Sequence, residues 1–206
     1  MNWHLLLSIT LTAKDGFQIS IGPVGLALIL IIGLLIFKKV FGLWSITAVK
    51  FNLDFKNPIS IEIKPNHYVR NVAHKVWTEL QTRKAALPFD EKNDVITEVY
   101  DSWYSMFGII RELIKSLPAE HLKKDKDTAE LVSLLINVLN HGLRPHLTRW
   151  QARFRKWIEK NPDDKLSPQE LQKGYPEYDK LIKNLKKVNT ELQKFSNSLY
   201  ELIYKK

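Results

Sequence analysis

The chain is predicted to be mainly α: one N-terminal transmembrane helix, a short β-hairpin, then a cytoplasmic five-helix bundle. Three observations lead there. Ile19–Phe37 reads ISIGPVGLALILIIGLLIF, nineteen residues whose only polar side chain is Ser20. AVKFNLDFKNPISIEIKP then alternates apolar and polar residues, the period of a half-buried strand. From Asn66 onward apolar residues recur three and four apart, the period of helices packed on a core.

The apolar run would span roughly 28 Å as a helix, close to the hydrocarbon thickness of a bilayer. A cleaved signal peptide would need a basic N-terminal region and a small-residue cleavage site. MNWHLLLSIT has no Lys or Arg, and KKVFGLW follows the run, so the segment is read as retained. Lys38, Lys39, Lys50 and Lys56 follow it against Lys14 alone before it, which orients the C-terminal bulk to the cytoplasm of a bacterial inner membrane. Trp44 and Phe41 suit the inner interface, and Trp3 or Phe17 the outer one. Gly22, Gly25 and Gly33 permit close helix pairing, and LLLSITLTA is apolar enough to rest on the outer leaflet. The expected division is 1–18 extracytoplasmic, 19–37 transmembrane, 38–65 juxtamembrane with the hairpin, and 66–206 the helical domain.

In the hairpin, Val49, Phe51, Leu53 and Phe55 form one face and Ile59, Ile61 and Ile63 continue it across a Lys-Asn-Pro turn. A lone hairpin is marginal in water, so it is expected to pack on the helices or on a neighbouring subunit. Val69, Val72, Val76 and Leu80 mark the first helix, ending near Pro88. The second is expected from about Asp90 to Leu117, with the Asp90, Glu91 and Asp94 carboxylates at its positive end. A solvated linker, AEHLKKDKD, leads to a third helix over about 127–141, closed by Gly142 as a C′ glycine. Pro145 opens the fourth in its first turn. S-P-Q-E at 167–170 is a capping box. The fifth helix, about 178–204, carries Leu181, Leu185, Val188, Leu192, Phe195, Leu199 and Leu202 at alternating four-and-three spacing. Two readings of that seam stand: it closes the monomer's own bundle, or it joins subunits.

The formal charge is +9, and apart from Lys14 and Asp15 every charged residue lies beyond the apolar run. Such a domain attracts nucleic acid, anionic lipid or an acidic protein face. Cysteine is absent, which excludes disulfides and thiolate metal sites. There is no glycine-rich phosphate loop, no G-x-S-x-G and no H-E-x-x-H, so no catalytic residue, metal or cofactor is assigned. Arg70 and His74 are separated by three residues, one short of the Arg-to-His spacing of HEPN-type helical ribonucleases.

The densest signal is GLRPHLTRWQARFRKW at 142–157, with no acidic residue. On a helix, Leu143, Leu147, Trp150, Phe154 and Trp157 share one side and belong to the core. Arg149, Arg153, Lys156 and Lys160 form a row on the solvent side, flanked by Arg144, His146 and Arg155. Lysine dominates elsewhere, whereas this row is rich in arginine, whose planar fork makes paired hydrogen bonds to phosphate. These seven residues are therefore the candidate binding set for a short oligonucleotide or other phosphorylated ligand.

An N-terminal span, a short β element and a basic helical domain together resemble membrane effectors of bacterial antiviral systems, of the Hailong channel-subunit type. The resemblance covers the layout of the whole chain and transfers no individual position. It implies an oligomeric membrane effector or ion channel gated by a nucleotide or oligonucleotide signal. A homo-oligomer is expected, with the transmembrane helix and the Leu181–Leu202 seam as its candidate contacts. Two other functions fit parts of the sequence: an inner-membrane adaptor tethering an acidic protein partner through that seam, and a helical RNase using His74.

Overall fold

The computed structural model describes residues 8–11, 17–20, 23–40, 47–163 and 165–204, with side chains from 23–37 and from 47 onward. It divides into two compact units, 1–46 and 47–206.

In the first unit, β1 (Ser8–Leu11) pairs antiparallel with β2 (Phe17–Ser20), Ser8 opposite Ser20 and Leu11 opposite Phe17. Helix α1 follows as Pro23–Val40. The expected start at Ile19 is thus corrected: Ile19 and Ser20 belong to a strand, and the helix opens on Pro23, a residue suited to a first turn because its missing N–H has no intrahelical partner there. Large apolar side chains from Val24 to Phe37 are 40–65% exposed. Among the described residues no helix is long and apolar enough to cross a membrane. Trp3, Lys14, Gly22, Phe41 and Trp44 lie outside the described residues.

The second unit opens with the expected hairpin, β3 (Val49–Leu53) and β4 (Ile59–Ile63), in the register Val49–Ile63, Phe51–Ile61 and Leu53–Ile59. Val49, Phe51, Leu53 and Ile63 are buried, and the opposite-charge pair Lys50–Glu62 faces outward across the strands. Seven helices follow: α2 (His67–Thr82), α3 (Ile96–Lys115), α4 (Ala119–Lys124), α5 (Lys126–Asn137), α6 (Arg144–Lys160), α7 (Pro168–Leu171) and α8 (Tyr178–Tyr204). Five match the expected bundle. The short α7 realises the capping box, with Ser167 and Glu170 satisfying each other's backbone N–H. Helix α4 forms within the expected solvated linker and buries none of its residues.

Helix α8 is the spine. All seven seam residues from Leu181 to Leu202 are buried in the chain's own core, packed on α2 and on β3, where the Phe51 and Phe195 rings meet at 6.0 Å. The hairpin rests on α8 and α5, which supplies the support it lacks alone.

Two further boundaries moved for local reasons. Helix α3 starts at Ile96 rather than Asp90 because Asp90 spends its carboxylate on the backbone N–H of Lys92 (2.9 Å) and the Asn93 side chain (2.7 Å). Such local bonds compete with helix formation. Gln172 then caps the entry, accepting from Ile96 N (2.9 Å) and donating to Asp94 O (3.0 Å). Gly142 does not end a helix. It lies in a π-helical turn, Val138–Leu143, that joins α5 to α6, with the Arg144 N–H bonded to Leu139 O. Pro145 cannot donate to the ladder, and the wider turn carries the chain across that gap. A Cβ on Gly142 would come within 2.8 Å of the Phe55 ring, so the position needs glycine for close approach of the hairpin.

Buried Asn189 holds the α2–α3 loop to α8: its Nδ2 donates to Ala85 O (2.8 Å) and Leu87 O (2.9 Å), and its Oδ1 accepts from Phe89 N (3.2 Å). Asn189→Ala removes the partner of three backbone groups, the buried Ala85 carbonyl among them, and should destabilise the unit by about 3 kcal/mol, measured by denaturant titration.

Candidate functional site

Helix α6 carries all seven candidate binding residues, and its rotation decides where each points. Leu147, Trp150 and Phe154 are buried and Trp157 is half-buried, as the apolar spacing requires. Successive residues advance about 100° around the axis. With the core side fixed, the basic residues split into two sets rather than one ridge. Arg144 and Arg155 face α3, while Arg149, Arg153, Lys156 and Lys160 lie exposed elsewhere on the surface.

His146 corrects the expected set. It is 2% exposed and sits in the core, not beside the row. Its Nδ1 lies 2.7 Å from Asn184 Oδ1 and its Nε2 lies 3.2 Å from the Tyr100 hydroxyl. Trp150 Nε1, a donor only, also reaches Asn184 Oδ1 at 3.1 Å. That pair fixes the Asn184 amide with its oxygen inward. His146 therefore carries its proton on Nδ1, donates to Asn184, and accepts from Tyr100 at Nε2. Burial, opposed by the Asn184 hydrogen bond, lowers its pKa from 6.5 to about 4. Burial also pushes the Tyr100 hydroxyl well above its ordinary value. The network is neutral and its His146, Trp150 and Tyr100 donors are all engaged within it, so it anchors α6.

Between α3 and α6 runs a groove of about 550 Å3. Arg144 and Arg155 line it from α6, and Arg111 lines it from α3. Arg144 is held by its Nε–H to Asn140 Oδ1 (3.1 Å) and stacks over the Phe107 ring at 5.0 Å. Arg155 is ion-paired with Asp101, both side chains partly exposed. Arg111 lies 3.9 Å from Glu112, whose carboxylate is already bonded by Lys115 at 2.8 Å. No acidic side chain lines the groove among the described residues. Tyr104 stands at its edge, 68% exposed, a large aromatic surface with no core duty. Gly108 lines the same wall, and a Cβ there would meet nothing within 4 Å.

Tyr104, Gly108 and Arg111 are absent from the sequence-derived set. The signal lies in YSMFGIIR, where they recur four and three apart as a second stripe along α3, edging the apolar one. Only the packing of α3 on α6 gives that stripe a meaning. His74 is exposed on α2 with its ring 6.3 Å from Trp77, remote in contact from the groove. Among the described residues no three His, Asp or Glu side chains are gathered around a metal-sized site.

Compared with known proteins, the chain matches no family model, no curated protein and no solved structure.

The His146 pKa sets a pH window. An unfolded chain binds the proton near 6.5 and the folded one only near 4, so stability is complete above 6.5 and is lost as pH falls toward 4. The loss should reach roughly 3 kcal/mol. Chemical denaturation across pH 7.5 to 4 should show it in wild type. In His146→Gln, which keeps a polar partner but does not titrate, that part of the slope should vanish.

Proposed function

We propose that the chain is a membrane-anchored effector whose second unit binds a short oligonucleotide or similar phosphorylated ligand in the α3–α6 groove. One observation carries this reading: Arg111, Arg144 and Arg155 converge on a groove of about 550 Å3 beside the exposed Tyr104 ring. Guanidinium groups engage phosphate oxygens in pairs, and an aromatic face stacks on a base whatever its identity. The exposed Arg149, Arg153, Lys156 and Lys160 extend the positive surface, and no ion pair reaches them among the described residues. They would draw a polyanion toward the groove and make binding salt-dependent.

Support for the anchor is the apolar run ending at Phe37, together with the exposed apolar side chains of α1. A contiguous surface of that kind is not left to water. The proposed topology keeps the second unit in the cytoplasm, following the flanking lysines. The resemblance to Hailong-type channel subunits supplies the output: a homo-oligomer whose ligand occupancy governs membrane damage or ion flow. The adaptor alternative loses its contact surface, since the Leu181–Leu202 seam is buried within the chain.

Binding of a fluorescent single-stranded hexanucleotide to the detergent-purified chain tests the groove. Arg111→Gln/Arg144→Gln should weaken binding at least tenfold and flatten the log K against log salt slope by roughly 1.4, two phosphate contacts on a single strand. Tyr104→Ala should cost about tenfold through lost stacking. Gly108→Leu leaves every charge in place, favours the helix and fills the groove; it should abolish binding without lowering stability. Unchanged affinity in these variants would remove the groove from the function.

The anchor is tested separately. Washed in alkaline carbonate, the full chain should stay with the membrane pellet, and a chain lacking residues 1–46 should not.

A further inference from the structure

A second cationic site lies away from the groove, where the β3–β4 turn meets the π-helical turn, α6 and α8. The cleft has a volume of about 400 Å3. Lys56 enters it from the turn, His141 from the π-helical turn, Arg149 from α6 and Lys187 from α8. These residues are far apart in sequence, and the fold brings them together on one rim. Asp54 is the only carboxylate in the lining among the described residues, and it is engaged by Lys187 at 3.3 Å. Three permanent cations therefore face one anion.

Like charges gathered in this way repel unless an anion offsets them. Long exposed side chains usually relieve such repulsion by turning into water, but here the scaffold is held. Phe55 packs into the space left by the missing Cβ of Gly142, which fixes the turn bearing Lys56. Asp54 N donates to buried Glu191 Oε2 at 2.7 Å, tying the same turn to α8. The Arg149 guanidinium lies over the Trp150 ring at 4.8 Å, which keeps it at the rim. Asn57 Nδ2, a donor, lies 3.2 Å from His141 Nδ1. In the neutral ring that contact makes Nδ1 the acceptor and leaves the proton on Nε2, a further donor. His146 and Asn184 also line the cleft, and their neutral network adds no competing carboxylate.

We infer that this cleft is a second anion-binding site, built for a phosphate monoester, and independent of the groove between α3 and α6. A compact dianion matches three cations and a neutral donor converging from four elements, whereas a diester strand needs an open path with charges in a row. The phosphate is either that of a soluble metabolite or the headgroup of a lipid such as phosphatidic acid. Both present the same chemistry, and the experiment separates them.

The full chain is placed in nanodiscs of neutral phosphatidylcholine and titrated with inorganic pyrophosphate by calorimetry. Lys56→Gln/Lys187→Gln, both at exposed positions, should weaken binding at least tenfold, and Arg149→Gln should weaken it too. Arg111→Gln/Arg144→Gln should leave this affinity unchanged, while the lysine pair should leave hexanucleotide binding in the groove unchanged. The two sites therefore fail separately. Loss of the pyrophosphate signal when phosphatidic acid is added to the disc identifies the headgroup as the occupant. An undiminished signal identifies a soluble phosphate. Equal pyrophosphate affinity in wild type and the lysine pair, or no binding by wild type, overturns the site.

Discussion

The Asn184 carbonyl oxygen accepts from both His146 and Trp150, and this shared acceptor sets the rotation of α6 on α8. Both donors lie on the buried side of α6, and both bonds are partly withdrawn from water, where a missing partner is costly. Turning α6 by one residue would break the two bonds and bury an arginine in exchange. With rotation fixed, Arg144 and Arg155 look toward α3 and Arg149 looks toward the turn carrying Lys56. The chemistry of both cavities thus follows from an interaction that itself carries no charge.

Much of the fold was legible because one periodicity dominated each element. The four-and-three seam of α8 identified its core face, and the period of two in β3 and β4 identified a hairpin with Val49, Phe51 and Leu53 inward. Boundaries were less legible where side chains bond their own backbone. Asp90 looked like an acidic residue at a helix start, yet its hydrogen bonds build a turn that delays α3 to Ile96. Gly142 looked like a terminator because glycine commonly is one, and the ring that requires it belongs to Phe55, distant in sequence.

The site was legible in half. Arginine enrichment in α6 marked one wall of the α3–α6 groove, and the core face of that helix was read correctly. His146 was placed outside because it stands among basic residues, whereas its position three residues after Leu143 and four before Trp150 turns it toward the core. The α3 wall escaped notice because Tyr104, Gly108 and Arg111 carry no signal singly. An exposed tyrosine, an unencumbered glycine and a weakly paired arginine become a wall only when a second helix lies opposite. Pairing between distant helices is the kind of information a local pattern does not hold.

The π-helical turn at Val138–Leu143 gives the bundle a setting of phase. It inserts extra backbone between α5 and α6, so the helical chain runs unbroken from Lys126 to Lys160 with its two halves out of step, like the two scales of a vernier. Substitutions along the exposed side of α5 leave that offset alone. A gain or loss of a single residue between Leu135 and Arg144 would re-aim every basic position of α6 together. Length in this short stretch is therefore under tighter constraint than composition.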